Sequence, residues 1–169
     1  MRNASVICDA IAETLEEMDP ENKEIYQTNA ENYKAKLSTL DHKYQETVYT
    51  DRQNTLIFAD RFAFRYLVDD YGLNYYAAFS GCSAESEASF KTVTFLAGKL
   101  DELGIKTVLT IEKSDDRIAQ TVIENTKKKD QKILELNSMQ SITSDEIKNG
   151  VTYLSVMEDN LKVLKEALK

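Results

Sequence analysis

Four short apolar runs, each set off from the next by a segment with helical apolar spacing, dominate the chain after Asp51. The runs are Thr55-Leu56-Ile57-Phe58-Ala59, Tyr75-Tyr76-Ala77-Ala78-Phe79, Thr107-Val108-Leu109-Thr110-Ile111 and Lys132-Ile133-Leu134-Glu135-Leu136. The first is too short to be a helix on its own and reads as a buried strand, and the other three read as strands. Between them, Phe62 to Tyr71 carries apolar residues at helical spacing. So do the stripes Phe90, Val93, Ala97, Leu100 and Ile118, Ala119, Val122, Ile123. Gly72 and Gly104 fall where helices should stop. A final stripe of Leu154, Met157, Leu161, Leu164 and Leu168 closes the domain. This alternation predicts βαβ units: an α/β fold with a four-stranded parallel sheet covered by helices on both faces.

The front of the chain is helical. Val6, Ile7, Ala10, Ile11 and Leu15 share one stripe between Ser5 and Met18, and Asp19-Pro20 then offers an N-cap followed by proline at the first helical position. From Glu21 to about Tyr49, Tyr26, Ala30, Tyr33, Leu37, Leu40, Tyr44 and Val48 recur at threes and fours. That is one helix of about 28 residues, roughly 40 Å long. It reads as a strut or as a long edge helix. The expected division is residues 1–52, a helical segment with the long helix, and residues 53–169, an α/β lobe.

Right-handed crossovers make the strands point the same way, so the residues after each strand gather on one rim. They are Asp60-Arg61, Ser80-Gly81-Cys82, Glu112-Lys113 and Asn137-Ser138. Carboxylates, an amide and hydroxyls converging there suit a cation or a small polar ligand. The same residue types also cap helices, and Asp60 could simply cap its helix or pair with Arg61. Asp60 and Glu112 could equally serve as the acid/base pair of a small enzyme acting on a polar metabolite.

Charge and motif content exclude several alternatives. With 21 basic against 29 acidic residues the net charge is -8, which disfavours nucleic acid and anionic membrane surfaces. No apolar run approaches the roughly 20 residues of a membrane span, and Met1-Arg2-Asn3-Ala4-Ser5 lacks the apolar core of a signal peptide. GxGxxG, P-loop, GxSxG and CxxC motifs are absent. The single histidine, His42, sits in the long helix as an expected surface residue and rules out a histidine triad at the rim. Cys8 and Cys82 are too few for a disulfide framework and are expected to be reduced. The loop from Ser83 to Ser89 reads as a helix entry, with Glu85 or Glu87 near the helix N-terminus.

The order of four segments carries a resemblance: DPENKEIYQTNAENYKAKL, LIFADRFAFRYLVDDYGL, SAESEASFKTVTFLAGKLDELGIKTVLTIE and GVTYLSVMEDNLKVLKEAL. Over essentially its whole length the chain resembles the solute-binding proteins of bacterial zinc and manganese ABC importers, the cluster A-I group. The resemblance implies two α/β lobes joined by one long helix, with metal held in the cleft between them. It implies that this chain is a carboxyl-terminal half whose amino-terminal lobe, with its histidine ligands and export signal, is missing. The expected partner of such a protein is a membrane permease, and its expected place is outside the cytoplasm.

Carried over residue by residue, the family's third ligand falls on Arg61, because Ala63-Phe64-Arg65-Tyr66 matches the helix start that follows it. An arginine cannot ligate a cation, so either Asp60 takes over or this branch uses other ligands. The fourth falls in Asn137-Ser138-Met139-Gln140, where Asn137 or Gln140 offers a neutral carbonyl oxygen. Glu112 resembles a family glutamate that stands behind the ligands, and Arg61 joins it there. The expected set is Asp60, Asn137 and Gln140 for zinc, with manganese as second candidate and no chemical step. This half alone should bind zinc weakly or not at all. It should also expose apolar faces of its first helix and strut that invite self-association.

Overall fold

The computed structural model describes residues 1–50, 53–79 and 88–169. They fall into two compact units, Met1–Glu46 and Thr47–Lys169.

In the first unit, α1 (Arg2–Met18) is followed by a 3-10 turn (Pro20–Asn22) and by α2 (Lys23–Thr50), whose last residues belong to the second unit. The expected helix of about 28 residues is present, starting two residues later than Glu21 and ending one after Tyr49. Pro20 opens the 3-10 turn, but the Asp19 side chain caps no backbone amide. Its Oδ2 instead accepts from Asn22 Nδ2 and from the Tyr26 hydroxyl, both at 2.8 Å. These bonds hold the Asp19 carboxyl below its usual range. Lys34 Nζ donates to Asp9 Oδ1 at 2.6 Å and Gln27 Nε2 to Glu16 Oε2 at 3.2 Å, so the two helices run antiparallel. The apolar stripe of α1 points to solvent: Val6, Ile7, Ile11, Leu15 and Met18 are all exposed, and only Ala12 is buried. The strut departs from expectation, because Leu37, Leu40 and Tyr44 are buried and its exposed large apolar residues are Ile25 and Tyr49.

The second unit carries β1 (Thr55–Arg61), α3 (Arg65–Tyr71), β2 (Asn74–Phe79), α4 (Phe90–Leu103) and β3 (Thr107–Ile111). It continues with α5 (Arg117–Glu124), β4 (Lys132–Leu136), α6 (Ser144–Lys148) and α7 (Tyr153–Ala167). The strands form one sheet in the order β2-β1-β3-β4, and every pairing is parallel. Helices α4 and α5 cover one face. There Ile57, Ala59 and Val108 pack with Val93, Leu96, Ala97 and Leu100 of α4 and with Ala119 and Val122 of α5. Phe90, expected on that stripe, is 76% exposed. Side chains alternate across a strand, so Thr107 and Leu109 face the other side. Helix α7 lies there, with Thr107 Oγ1 donating to the Ala167 carbonyl at 3.3 Å. Gly72 and Gly104, both at φ +66°, end α3 and α4 in the left-handed conformation that glycine adopts without strain.

The expected turn at Asp60-Arg61 is a correction. Strand β1 runs through both residues, because an irregularity between Phe58 and Arg61 lets Arg61 pair with Phe79. The helix expected from Phe62 begins at Arg65 instead, since Phe62 and Phe64 are buried in an aromatic cluster. Phe62 stacks on Tyr75 with ring centres 3.8 Å apart, and Phe58 lies 5.2 Å from Phe62 and 5.4 Å from Phe64. Asp60 is therefore not a helix cap.

Candidate functional site

Strands β1 and β3 lie side by side at the middle of the sheet, and the strand order reverses there: β2 lies beyond β1, and β4 beyond β3. In an open parallel sheet the crevice at the carboxyl ends of two such strands is the usual ligand site. Asp60 is the penultimate residue of β1, and Glu112 directly follows β3. The Asp60 Oδ1 accepts the amide of Arg61 at 2.7 Å, and its Oδ2 lies 3.5 Å from the amide of Ile111. This carboxylate, 14% exposed, thus spans the two strand ends. Arg61 Nε stands 4.0 Å from Asp60 Oδ1 on a side chain that is 45% exposed, a pairing worth little in water.

Glu112 is buried, and its carboxylate is filled by the loop after β4. Oε2 accepts the Ser138 amide at 2.7 Å. Oε1 accepts the Ser138 hydroxyl at 2.8 Å, the Ser141 hydroxyl at 2.9 Å, and the amides of Gln140 and Ser141 at 3.0 and 3.3 Å. Burial pushes this carboxyl up, but the bonds from Ser138 and Ser141 outweigh it and hold the group below its ordinary value. Beside it, Lys113 Nζ donates to the Ser141 carbonyl at 2.6 Å. Lys113 and Met139 both take positive φ, +60° and +64°, a conformation that a non-glycine residue keeps only when its surroundings hold it.

Asn137 is held from α7. Its amide donates to Asn160 Oδ1 at 2.9 Å, and its carbonyl accepts from Asn160 Nδ2 at 2.8 Å. Its own side-chain Oδ1 accepts the Met139 amide at 2.8 Å, which closes the turn. Asn160 is 2% exposed, and the sequence reading missed it. The available signal was an amide three residues after Met157 and four before Leu164, on a stripe otherwise apolar.

The rim therefore brings Asp60, Glu112, Asn137 and Gln140 to one end of the sheet: Asp60 by its approach to the end of β3, and the other three through the loop that Glu112 gathers. Gln140 contributes its amide to Glu112, and its residue is exposed. His42 is on α2, in the first unit, exposed, with ring Nδ1 bonded to the Ser38 carbonyl at 2.8 Å. Ser80-Gly81-Cys82, Glu85 and Glu87, and with Cys82 the question of its pairing with Cys8, lie outside the described residues. Ser89 is described and caps α4 by accepting the Thr92 amide. Among the described residues no group of three or more His, Cys, Asp or Glu side chains could hold a metal ion. One carboxylate and neutral carbonyl oxygens fit part of a cation's shell, not the four ligands zinc takes. A hollow of about 490 Å³ lined by Gly104, Lys106, Thr107, Lys132 and Glu166 sits at the opposite ends of β3 and β4.

Residues 1–167 match the family described as zinc-uptake complex component A, periplasmic. The chain belongs to this family. Among its curated relatives is the zinc-binding lipoprotein AdcA of Streptococcus pneumoniae, 33% identical over 92% of this chain and 30% of that protein. The high-affinity zinc uptake system protein ZnuA of Bacillus subtilis is 29% identical over 94% of this chain and 48% of that protein. The crystal structure of the Zn(II)-bound AdcAII E280Q variant of Streptococcus pneumoniae superposes with a TM-score of 0.78 at 31% identity. That match covers 98% of this chain and 57% of AdcAII. The chain thus spans between three tenths and three fifths of the family members it matches, and the resemblance read from its four ordered segments holds.

Proposed function

We propose that this chain is the carboxyl-terminal lobe of a solute-binding protein that captures zinc outside the cytoplasm and hands it to the membrane permease of an ABC importer. Manganese is the second candidate cargo. The observation that carries this reading is the family match from residue 1 to residue 167, whose matched segment ends its strands in an acidic rim at the sheet's reversal point. Residues 1–52 then supply the helical segment with the interlobe helix, and 53–169 the lobe. Asp60, Asn137 and Gln140 supply oxygen donors from this side of a cleft. Glu112 holds the loop carrying two of them, and Arg61 stands beside Asp60. An amino-terminal lobe supplies the remaining ligands.

The enzyme reading gains no support. A general acid or base needs a proton to exchange near neutral pH, whereas Glu112 is held ionised by Ser138 and Ser141. The exposed stripe of Val6, Ile7, Ile11, Leu15 and Met18 is the surface through which this chain, taken alone, self-associates. The test is a chelator-competition titration of the two-lobed protein. A tight site for one zinc supports transport, and absence of binding contradicts it.

A further inference from the structure

We propose that Asn160 is a positioning residue for metal capture: from α7 it fixes the backbone of Asn137 and so sets where the Asn137 carbonyl oxygen stands at the rim. The inference rests on the zinc-capture reading and adds to it a residue outside the rim. An amide on a buried apolar stripe is unfavourable unless its polar atoms are bonded. Here Oδ1 and Nδ2 are both spent on one residue, the N–H and C=O of Asn137. This is the donor and acceptor pair that a neighbouring strand would offer, supplied just where β4 ends. Nδ2 also approaches Met157 Sδ, a weak acceptor on its own helix, at 3.8 Å.

The consequence travels a short distance. With the backbone of Asn137 pinned, the bond from the Met139 amide fixes the side-chain Oδ1, and a carbonyl oxygen has a second lone pair for a cation. Glu112 holds the far side of the same loop through Ser138, Gln140 and Ser141. The loop is therefore clamped at both ends, by a carboxylate after β3 and by an amide from α7. A leucine at position 160 would keep the stripe apolar but take both partners from the Asn137 backbone, and the loop would lose one clamp.

Asn160→Asp keeps the acceptor for the Asn137 amide and sets an oxygen against its carbonyl. Asn160→Leu removes both bonds, and either variant serves should the other fail to fold. Two readouts are needed. In the metal-free chain, hydrogen exchange at the Asn137 amide, which loses its acceptor in Asn160→Leu, should accelerate in that variant relative to Leu109 in β3. In the two-lobed protein, well below its Tm, the zinc dissociation constant should rise by about tenfold to a hundredfold, the usual cost of losing a group that orients a metal ligand. A lowered Tm with unchanged zinc affinity would make Asn160 a packing residue only and overturn the inference. Wild-type protein that binds no zinc would overturn the transport reading first, before any variant is compared.

Discussion

Ser138 meets the Glu112 carboxylate twice, through its amide at 2.7 Å and its hydroxyl at 2.8 Å. Glu112 has a lowered pKa in the folded state, so it contributes stability above its unfolded value and loses that contribution as pH falls through the folded one. The metal-free chain should therefore lose Tm as pH drops below the ordinary glutamate range. Glu112→Gln should cost about 1–3 kcal/mol at neutral pH, because it turns an acceptor for three amides into a half-donor. Its Tm should fall less steeply with acid than the wild type. Thermal unfolding across a pH series reads both, and parallel curves would contradict the role given to Glu112.

Asp60→Asn separates capture from folding. The residue lies in β1 and caps no helix, and an asparagine Oδ1 can still accept the Arg61 amide, so the metal-free Tm should change little. If Asp60 is the charged donor of this lobe, zinc affinity of the two-lobed protein should fall markedly. Titration and differential scanning calorimetry on one variant test this, and a lost Tm with intact affinity would argue against it.

The core of the lobe should respond where the structure buries a residue and not where helical periodicity alone suggests. Leu96 is fully buried against the sheet, and Leu96→Ala should cost about 2–5 kcal/mol in urea unfolding. Phe90 shares that helix but is 76% exposed, and Phe90→Ala should change stability by only about 0.5 kcal/mol.

Ile11→Lys addresses the bare face of α1. Ile11 is 55% exposed, so the substitution should leave Tm within a degree or two while reducing association of the isolated chain in sedimentation velocity. Unchanged association would move the self-contact elsewhere.

Much of this was legible in the residues. Strands β3 and β4 have the bounds their apolar runs suggest, because both are short apolar runs bounded by polar residues. Strand β1 was read two residues short, since an irregularity that lets charged Asp60 and Arg61 continue a ladder leaves no mark in hydrophobicity. The start of α3 was misread because Phe62 and Phe64, spaced like helix residues, belong to an aromatic cluster with Phe58 and Tyr75. At the rim, strand direction brought Asp60, Glu112 and Asn137 to one end. The partner that pins Asn137 comes from α7, and a contact between residues 23 apart in sequence is not written in local pattern.

The most direct test titrates zinc into this chain alone and into the same chain joined to an amino-terminal family lobe, with sedimentation of each sample. A lobe that offers one charged oxygen and neutral carbonyls leaves the ion mostly hydrated, so the isolated chain should bind zinc weakly or not at all, and the joined protein should bind one ion tightly. A tight one-to-one site on a monodisperse monomer of the isolated chain would contradict both the half-protein reading and the ligand set proposed for it.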